Sequence, residues 1–182
     1  VSDNVMASAG VTKQIAPIRT KVSLNCSYLH SESMTMQNGH MVDYAGNSLT
    51  ISPSVSSHPV DWLEFNYSGD ISKTMSKYGG TAKSYGSRNH EMSLRLSPVQ
   101  SLIFSAAAEI SRKQLADDVY KTMTLLDFGL SWKHKAWRLS LDLRNALDAR
   151  SYSYTIYDSV NTFTYEYALR GREVVFTAIL TI

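Results

Sequence analysis

The chain has 182 residues, with 18 Lys and Arg against 16 Asp and Glu, which gives a formal net charge of +2. This balance provides no strongly basic surface of the kind that nucleic-acid-binding modules use, so we expect no nucleic-acid partner. A hydrophobic fraction of 43% argues against intrinsic disorder. The single cysteine, Cys26, excludes an internal disulfide and a cysteine-based zinc cluster.

Alternation of apolar and polar residues with a period of two runs through most of the chain, and helical periodicity is scarce. In the last strand, for example, Val174, Phe176 and Ala178 share one face, because successive side chains of a strand point to opposite sides. In chain order, the pattern predicts about ten strands, near residues 3–14, 18–30, 46–56, 61–73, 87–96, 101–113, 119–133, 136–147, 152–168 (possibly broken) and 172–182.

Two kinds of connection alternate between the predicted strands. The first kind is short and holds three of the four prolines. The second kind is long and polar. This rhythm is typical of outer-membrane barrels, which have short periplasmic turns and longer external loops. We therefore predict an all-β fold, an antiparallel up-and-down meander of about ten long strands that forms part of a transmembrane β-barrel. The short connections are expected at 15–17, 57–60, 97–100, 133–135 and 170–171, and the long ones at 31–45, 74–86, 113–118 and 148–155.

The polar face of the predicted strands is charged as well as polar. Alternation alone allows either a lipid-facing apolar face or a soluble barrel with an apolar interior. Tryptophans beside short turns, tyrosines near the long connections and strands of 10–14 residues favour the membrane, where aromatic girdles border an apolar band. The charged residues of this face are Lys21, Glu64, Glu91, Arg95, Glu109, Arg138, Asp142, Arg144 and Glu173.

The segment Trp137–Asp148, with Asn145-Ala-Leu-Asp148 at its end and Tyr152 shortly after, resembles a late strand of TonB-dependent outer-membrane receptors. There, an Asn-Leu-Phe-Asp type element precedes a Tyr; here Ala146-Leu147 replaces Leu-Phe. The Gly171-Arg172 turn before a final amphipathic strand is also similar, although the chain ends in Ile182 rather than an aromatic residue.

The resemblance implies that residues 1–182 are a C-terminal β-barrel segment without a plug domain. A 22-stranded barrel with a plugged lumen would then be completed by other parts of the receptor. The implied function is import of a scarce or bulky substrate, an unknown small molecule or oligosaccharide. The implied partners are the lipid bilayer of the outer membrane and TonB, which would act through the plug.

Candidate substrate-binding residues come from the wall and the loops. On the wall we select Arg138, Asp142 and Arg144, which alternate on one strand. In the loops we select Tyr152, Tyr154 and Tyr157, since aromatic rings there could stack on sugars or flat ligands. A structural role, as ion pairs and girdle residues, remains the alternative for both groups.

Catalytic motifs are missing from the sequence: there is no glycine-rich phosphate loop, no His-Glu-x-x-His and no Gly-x-Ser-x-Gly element. We therefore expect no enzymatic activity, no cofactor and no metal site. Two other functions stay open. One is a self-contained small outer-membrane barrel for ligand binding or adhesion, and the other is a soluble secreted binding protein.

Overall fold

The computed structural model describes residues 2–116, 118–157 and 162–181, and at 35, 37, 153–157 and 162 it describes the backbone alone. The all-β prediction is confirmed: the described residues form one nine-stranded antiparallel sheet and a separate two-stranded sheet. The strands are β1 (Ser2–Ile15), β2 (Thr20–Gln37), β3 (His40–Val60), β4 (Leu63–Tyr78), β5 (Thr81–Val99), β6 (Leu102–Ala116), β7 (Val119–His134), β8 (Trp137–Arg144), β9 (Ser151–Tyr157), β10 (Thr162–Ala168) and β11 (Glu173–Leu180).

Neighbours along the chain are also neighbours in the sheet, from β1 through β8, and β11 then pairs with β8. The predicted strand near 152–168 is broken, because it forms the β9–β10 hairpin between β8 and β11. Four of the predicted short turns exist between sheet strands, but three begin later than predicted, at Asp61-Trp62, Gln100-Ser101 and Lys135-Ala136. Pro59 and Pro98 lie at register shifts beside two of these turns, where a missing N–H costs no regular ladder hydrogen bond.

The predicted long connections at 31–45 and 74–86 are wrong. These residues continue the strands, which meet in two-residue turns at Asn38-Gly39 and Gly79-Gly80. All four turn residues have positive φ (49° and 80°, 50° and 86°), as tight hairpins of type I′ require. The predicted connection at 113–118 is also shorter than expected, since β6 extends to Ala116 and β7 begins at Val119. Strands β1–β7 are consequently 14–21 residues long.

Cross-strand register sorts the side chains onto two faces, because residues paired across an antiparallel ladder point to the same side. All nine charged residues predicted for the polar face lie on the same face of the sheet, as in the cross-strand pairs Glu64–Arg95 and Glu173–Arg144. We call this side the polar face. The opposite side carries an apolar band, formed by alternate residues within 5–11 of β1, 22–28 of β2, 49–55 of β3, 65–71 of β4, 92–96 of β5, 102–110 of β6, 126–132 of β7, 137–143 of β8 and 174–180 of β11.

The apolar band covers only the part of the sheet beside the short turns, which we call the turn-end half. It measures roughly 14–27 Å along the strands, at about 3.4 Å per residue, and is shortest on β5. Beyond it lies the hairpin-end half, formed by residues 30–47 of β2–β3, 73–88 of β4–β5, 112–124 of β6–β7 and the β9–β10 hairpin. In this half both faces of the sheet carry mostly polar residues, and Met34, Met36, Met41 and Met75 are exposed on the side that continues the apolar face.

No hydrophobic side chain is buried anywhere in the described residues. Leu141 and Phe176, paired at the centre of the apolar band, are 47% and 66% exposed. The described strands also leave two open edges, since β1 pairs only with β2 and β11 only with β8. The described residues therefore form no apolar core, and their sheet does not close into a barrel.

Aromatic residues at the two borders of the apolar band only partly match the prediction. Trp132 and Trp137 lie on the apolar face beside the short turn, and Trp62 lies in another turn. At the opposite border, Tyr28 also lies on the apolar face, whereas Tyr120 lies on this face six residues beyond Leu126, within the hairpin-end half. Three more tyrosines predicted at this border lie on the polar face within the hairpin-end half, so they form no girdle: Tyr44, Tyr78 and Tyr85.

Candidate functional site

The polar face of β2–β5 is unusually rich in serine. Small hydroxyl side chains occupy successive positions and hydrogen-bond across the strands, as in Ser72–Ser87 at 2.7 Å and Ser48–Thr74 at 3.2 Å. Ser52 donates to Asp70 at 2.6 Å in the same way. Short side chains leave space above the sheet, while their hydroxyl groups offer both donors and acceptors. The polar face is thus a roomy surface suited to water or a polar ligand.

Two adjoining hollows open on this face, with volumes of about 580 and 430 Å³. The first is lined from Lys21 on β2 to Asp127 on β7. In a flat sheet these strands would lie about 24 Å apart, at about 4.8 Å per strand. A single hollow reaching both indicates that the sheet curls toward its polar face. The polar face is therefore concave and the apolar face convex.

Charges of both signs line the hollows. Glu91 and Glu109, which are directly opposite each other on β5 and β6, line the first. The second is lined by five charged side chains that come from four strands, Glu64, Arg95, Asp127, Asp142 and Arg144. Such a mixture can orient a dipolar or hydrogen-bonding ligand, since charged groups form the stronger hydrogen bonds.

Of the three wall residues predicted from sequence, two line a hollow and one does not. Asp142 and Arg144 line the second hollow. Arg138 has the same facing but lies close to the β7–β8 turn, opposite Lys133 and Ile179, and outside both hollows. Gly129 faces Asp142, and a Cβ there would lie 3.0 Å from its Oδ1 and 2.6 Å from the Ser105 hydroxyl. The glycine therefore leaves the Asp142 carboxylate accessible.

The loop tyrosines predicted as ligand contacts lie in the β9–β10 hairpin rather than in a loop. Tyr152 is half-buried and pairs with Tyr167. The side chains of Tyr154 and Tyr157 fall outside the described residues, although their backbone belongs to β9. Tyr152 is not among the residues that line the second hollow with Asp142 and Arg144.

Asn145 was not selected from sequence as a site residue, yet its hydrogen bonds organise the end of the paired strands β8 and β11. It is 8% exposed, and φ is 50°. Its side-chain amide donates to the carbonyls of Ala149 (2.7 Å) and Arg170 (2.9 Å), and its Oδ1 accepts from the N–H of Ala149 (2.8 Å). Its backbone N–H donates to Asp127 at 2.7 Å. An asparagine suits this position because it tolerates positive φ and offers both donor and acceptor.

Asp148 closes the same junction three residues later, also at positive φ. Its Oδ1 accepts from the backbone N–H of Arg172 at 2.8 Å, and its Oδ2 accepts two bonds from the Arg150 guanidinium. The Arg172 hydrogen bond and the Arg150 side chain hold the pKa of Asp148 below its usual value. The Asn145…Asp148 motif is thus a polar junction that joins the paired strands β8 and β11 to the β9–β10 hairpin.

A single ion pair ties the β9–β10 hairpin to the large sheet within the described residues. Lys121 on β7 donates to Glu166 on β10 at 2.8 Å. Hydrogen bonds from Lys121, first, and from Ser151 lower the pKa of Glu166. The hairpin is therefore held at its base by the Asn145–Asp148 junction and along its side by this pair.

Within the described part of the chain, no group of three His, Cys, Asp or Glu side chains is arranged to hold a metal ion. No described helix has both the length and the hydropathy needed to cross a lipid bilayer. The chemistry that the polar face offers is binding through hydroxyl groups and fixed charges.

Comparisons with known proteins do not assign the chain to a family. No protein-family model, curated protein or solved structure matches the chain.

Proposed function

We propose that this chain is a wall of an outer-membrane transport barrel, the barrel portion of a TonB-dependent receptor that binds and imports a scarce or bulky substrate. One observation carries the proposal: a nine-stranded sheet has a continuous apolar band, and no hydrophobic side chain among the described residues is buried. A soluble domain of this size would hide such a surface in a core, since apolar burial is the main force that stabilises folding. Lipid is the partner that covers the whole apolar band of the convex face.

The shape and charge of the other face support the same proposal. Curling toward the polar face places serine hydroxyls and charged groups on the inside, as in barrels with a polar lumen. With strands tilted by about 35–45°, an apolar band of roughly 14–27 Å along the strands spans about 10–22 Å across the bilayer, and its longest strands approach the band of about 25 Å in outer-membrane barrels.

The open edges favour a wall of a larger barrel over a complete small one. β1 exposes a 14-residue edge, and the opposite edge is β11. Unpaired edges invite association with other strands, and within a bilayer unpaired backbone groups are prohibitively costly. Further strands, from outside the described sheet, would complete the barrel. A plug domain in the lumen would connect it to TonB.

Substrate would meet the second hollow, where Asp142, Arg144 and their charged neighbours converge. An oligosaccharide or another hydrogen-bonding small molecule fits a surface of hydroxyls and charges better than an apolar ligand does. The remaining candidate, a soluble binding protein, would need a second layer covering the convex face, and the described chain supplies none.

Uptake in living cells tests this proposal. Cells that make the protein and cells that lack it receive a mixture of oligosaccharides and other small solutes, with and without functional TonB. We expect at least one solute to leave the medium only when both proteins are present. Arg144→Gln should weaken its uptake about tenfold, because charged hydrogen bonds contribute about 1.5–3 kcal/mol each.

Lys133→Gln provides the matched control, since it removes the same charge from the same face outside the second hollow. Its uptake should equal that of the unmodified protein. Recovery of the protein outside the outer-membrane fraction, or uptake that does not depend on TonB, would contradict the proposal.

A further inference from the structure

On β4–β7 the apolar face carries an unbalanced set of positive charges just beyond the apolar band. On β4–β7 the residues of this face in the hairpin-end half include Lys73, Lys77, Arg88 and Arg112. Register places no Asp or Glu on the same face of these four strands within the described residues. The acidic residues of β4–β7 lie instead on the polar face, for example Glu91 and Asp127. The charge asymmetry therefore belongs to the outward side of β4–β7, whereas on β2 and β3 the same face carries Glu32 and Asp43.

Three of these cations surround a hollow of about 470 Å³. Lys73, Arg88 and Arg112 line it together with Gln114 and Tyr120. Arg88 and Arg112 are directly opposite each other on β5 and β6. Two like charges in this position repel, so the arrangement is unfavourable until an anion lies between them. No carboxylate among the described residues forms an ion pair with any of the three.

The hollow is also partly preorganised. The Arg112 guanidinium lies 4.4 Å from the centroid of the Tyr120 ring, which restricts its position while leaving its N–H groups at the rim. Gln114 is fixed as well, because its Oε1 accepts from the backbone N–H of Gly86 at 3.0 Å. Two arginines and a lysine in such a setting match the geometry and charge of a phosphate group.

The position of the hollow identifies the carrier of the phosphate. Ile71, the last residue of the apolar band on β4, lines the hollow and precedes Lys73 on the same face by about 7 Å. A lipid with its acyl chains along the band would place its headgroup at this height. We infer that this cationic hollow binds the phosphate-bearing headgroup of a membrane lipid, on the side of the bilayer toward which the long hairpins extend. The inference rests on the proposed function, since it requires lipid against the apolar band.

Binding of phosphatidic acid tests the inference. The protein, as the cell makes it, is reconstituted in phosphatidylcholine nanodiscs with and without phosphatidic acid, and bound lipid is counted by native mass spectrometry. We expect selective retention of phosphatidic acid. Arg88→Ala with Arg112→Ala should reduce its affinity about 30-fold, because each Lys or Arg near an anionic surface contributes about a fivefold factor.

Lys83→Ala with Lys113→Ala is the matched control. It removes two charges from the same two strands on the opposite face, where Lys83 pairs with Ser76 and Lys113 with Ser87. Phosphatidic acid retention should not change. Equal losses in both double variants would overturn the inference, because they would show a general charge effect. If the alanine double variant does not fold, Arg88→Gln with Arg112→Gln replaces it, with the same expectation.

Inorganic phosphate, added at constant ionic strength, distinguishes a headgroup from a free anion. We expect it not to displace phosphatidic acid; displacement at concentrations comparable to those of the lipid would overturn the assignment to a lipid. Insertion into plain phosphatidylcholine nanodiscs separates the two proposals. A protein that inserts but shows no preference for phosphatidic acid contradicts only this inference, whereas a protein that does not insert contradicts the proposed function.

Discussion

The turn-end and hairpin-end halves of the sheet are formed by the same strands, yet they have different surfaces. In the turn-end half every strand presents apolar residues on one face and polar residues on the other. In the hairpin-end half both faces are mostly polar, and Lys73, Arg88 and Arg112 occupy positions where the other half has Leu or Phe. A strand needs an apolar face only where something apolar covers it. The border between the halves therefore marks the height at which the surroundings of the convex face change.

A charge introduced into the centre of the apolar band should have the largest effect. Leu141→Arg places a guanidinium opposite Phe176, and in lipid this costs about 2–4 kcal/mol near the midplane of the bilayer. Urea unfolding of the protein in phospholipid vesicles measures the free energy of unfolding.

Ser140→Arg is the matched control, since it introduces the same side chain one residue away on the polar face. We expect a cost within about 1 kcal/mol for it. An equal loss in the free energy of unfolding for Ser140→Arg and Leu141→Arg would show that the two faces meet the same environment, which would contradict the assignment of the apolar face to lipid.

The border between the halves can be tested at Asn145, which follows the last apolar residue of β8. Asn145→Ala removes three side-chain hydrogen bonds and leaves the Ala149 and Arg170 carbonyls unpaired. We expect a loss of about 2–3 kcal/mol in the free energy of unfolding. Asn4→Ala, at an exposed position of β1, should change it by less than about 0.5 kcal/mol. A loss at Asn145 no larger than at Asn4 would contradict the role of the junction.

The smallest effect should appear beyond the border, at Asp148. Its folded-state pKa is lowered, so it stabilises the fold above the unfolded pKa of about 3.9 and loses this contribution as the pH falls through the folded value. We expect the stability of the protein to decline below about pH 4, and Asp148→Asn to remove part of the decline. Unfolding measured between pH 2 and pH 6 checks this. An identical pH profile for the variant would contradict the assignment.

Sequence reasoning succeeded where one face of a strand is apolar and the other polar. The strands of the turn-end half, their short turns and the nine charged residues of the polar face could be predicted because alternation distinguishes the two sides. The hairpin-end half could not be predicted in this way. Where water covers both faces there is no alternation, so residues 31–45 and 74–86 have the composition of loops although they are strands. The signals that could have revealed them were the Asn38-Gly39 and Gly79-Gly80 turns.

The candidate site shows a similar limit. Alternation identified the facing of Arg138, Asp142 and Arg144, but not which of them line a hollow, because this depends on how β4–β8 curl around the polar face. Asn145 and Asp148 were recognised as a motif, whereas their role depends on contacts with residues more than 20 positions away, such as Arg170 and Arg172.

Spin-label accessibility along β8 tests the central claim most directly, which is that the convex face meets lipid and the concave face meets water. Single cysteines are placed in turn at residues 137–144, with Cys26 replaced by Ser, and each label is probed with oxygen and with a water-soluble nickel chelate. We predict that oxygen collides most with labels at Leu139, Leu141 and Leu143, and the nickel chelate most with labels at Ser140 and Asp142. The reverse alternation, or none, would contradict the account.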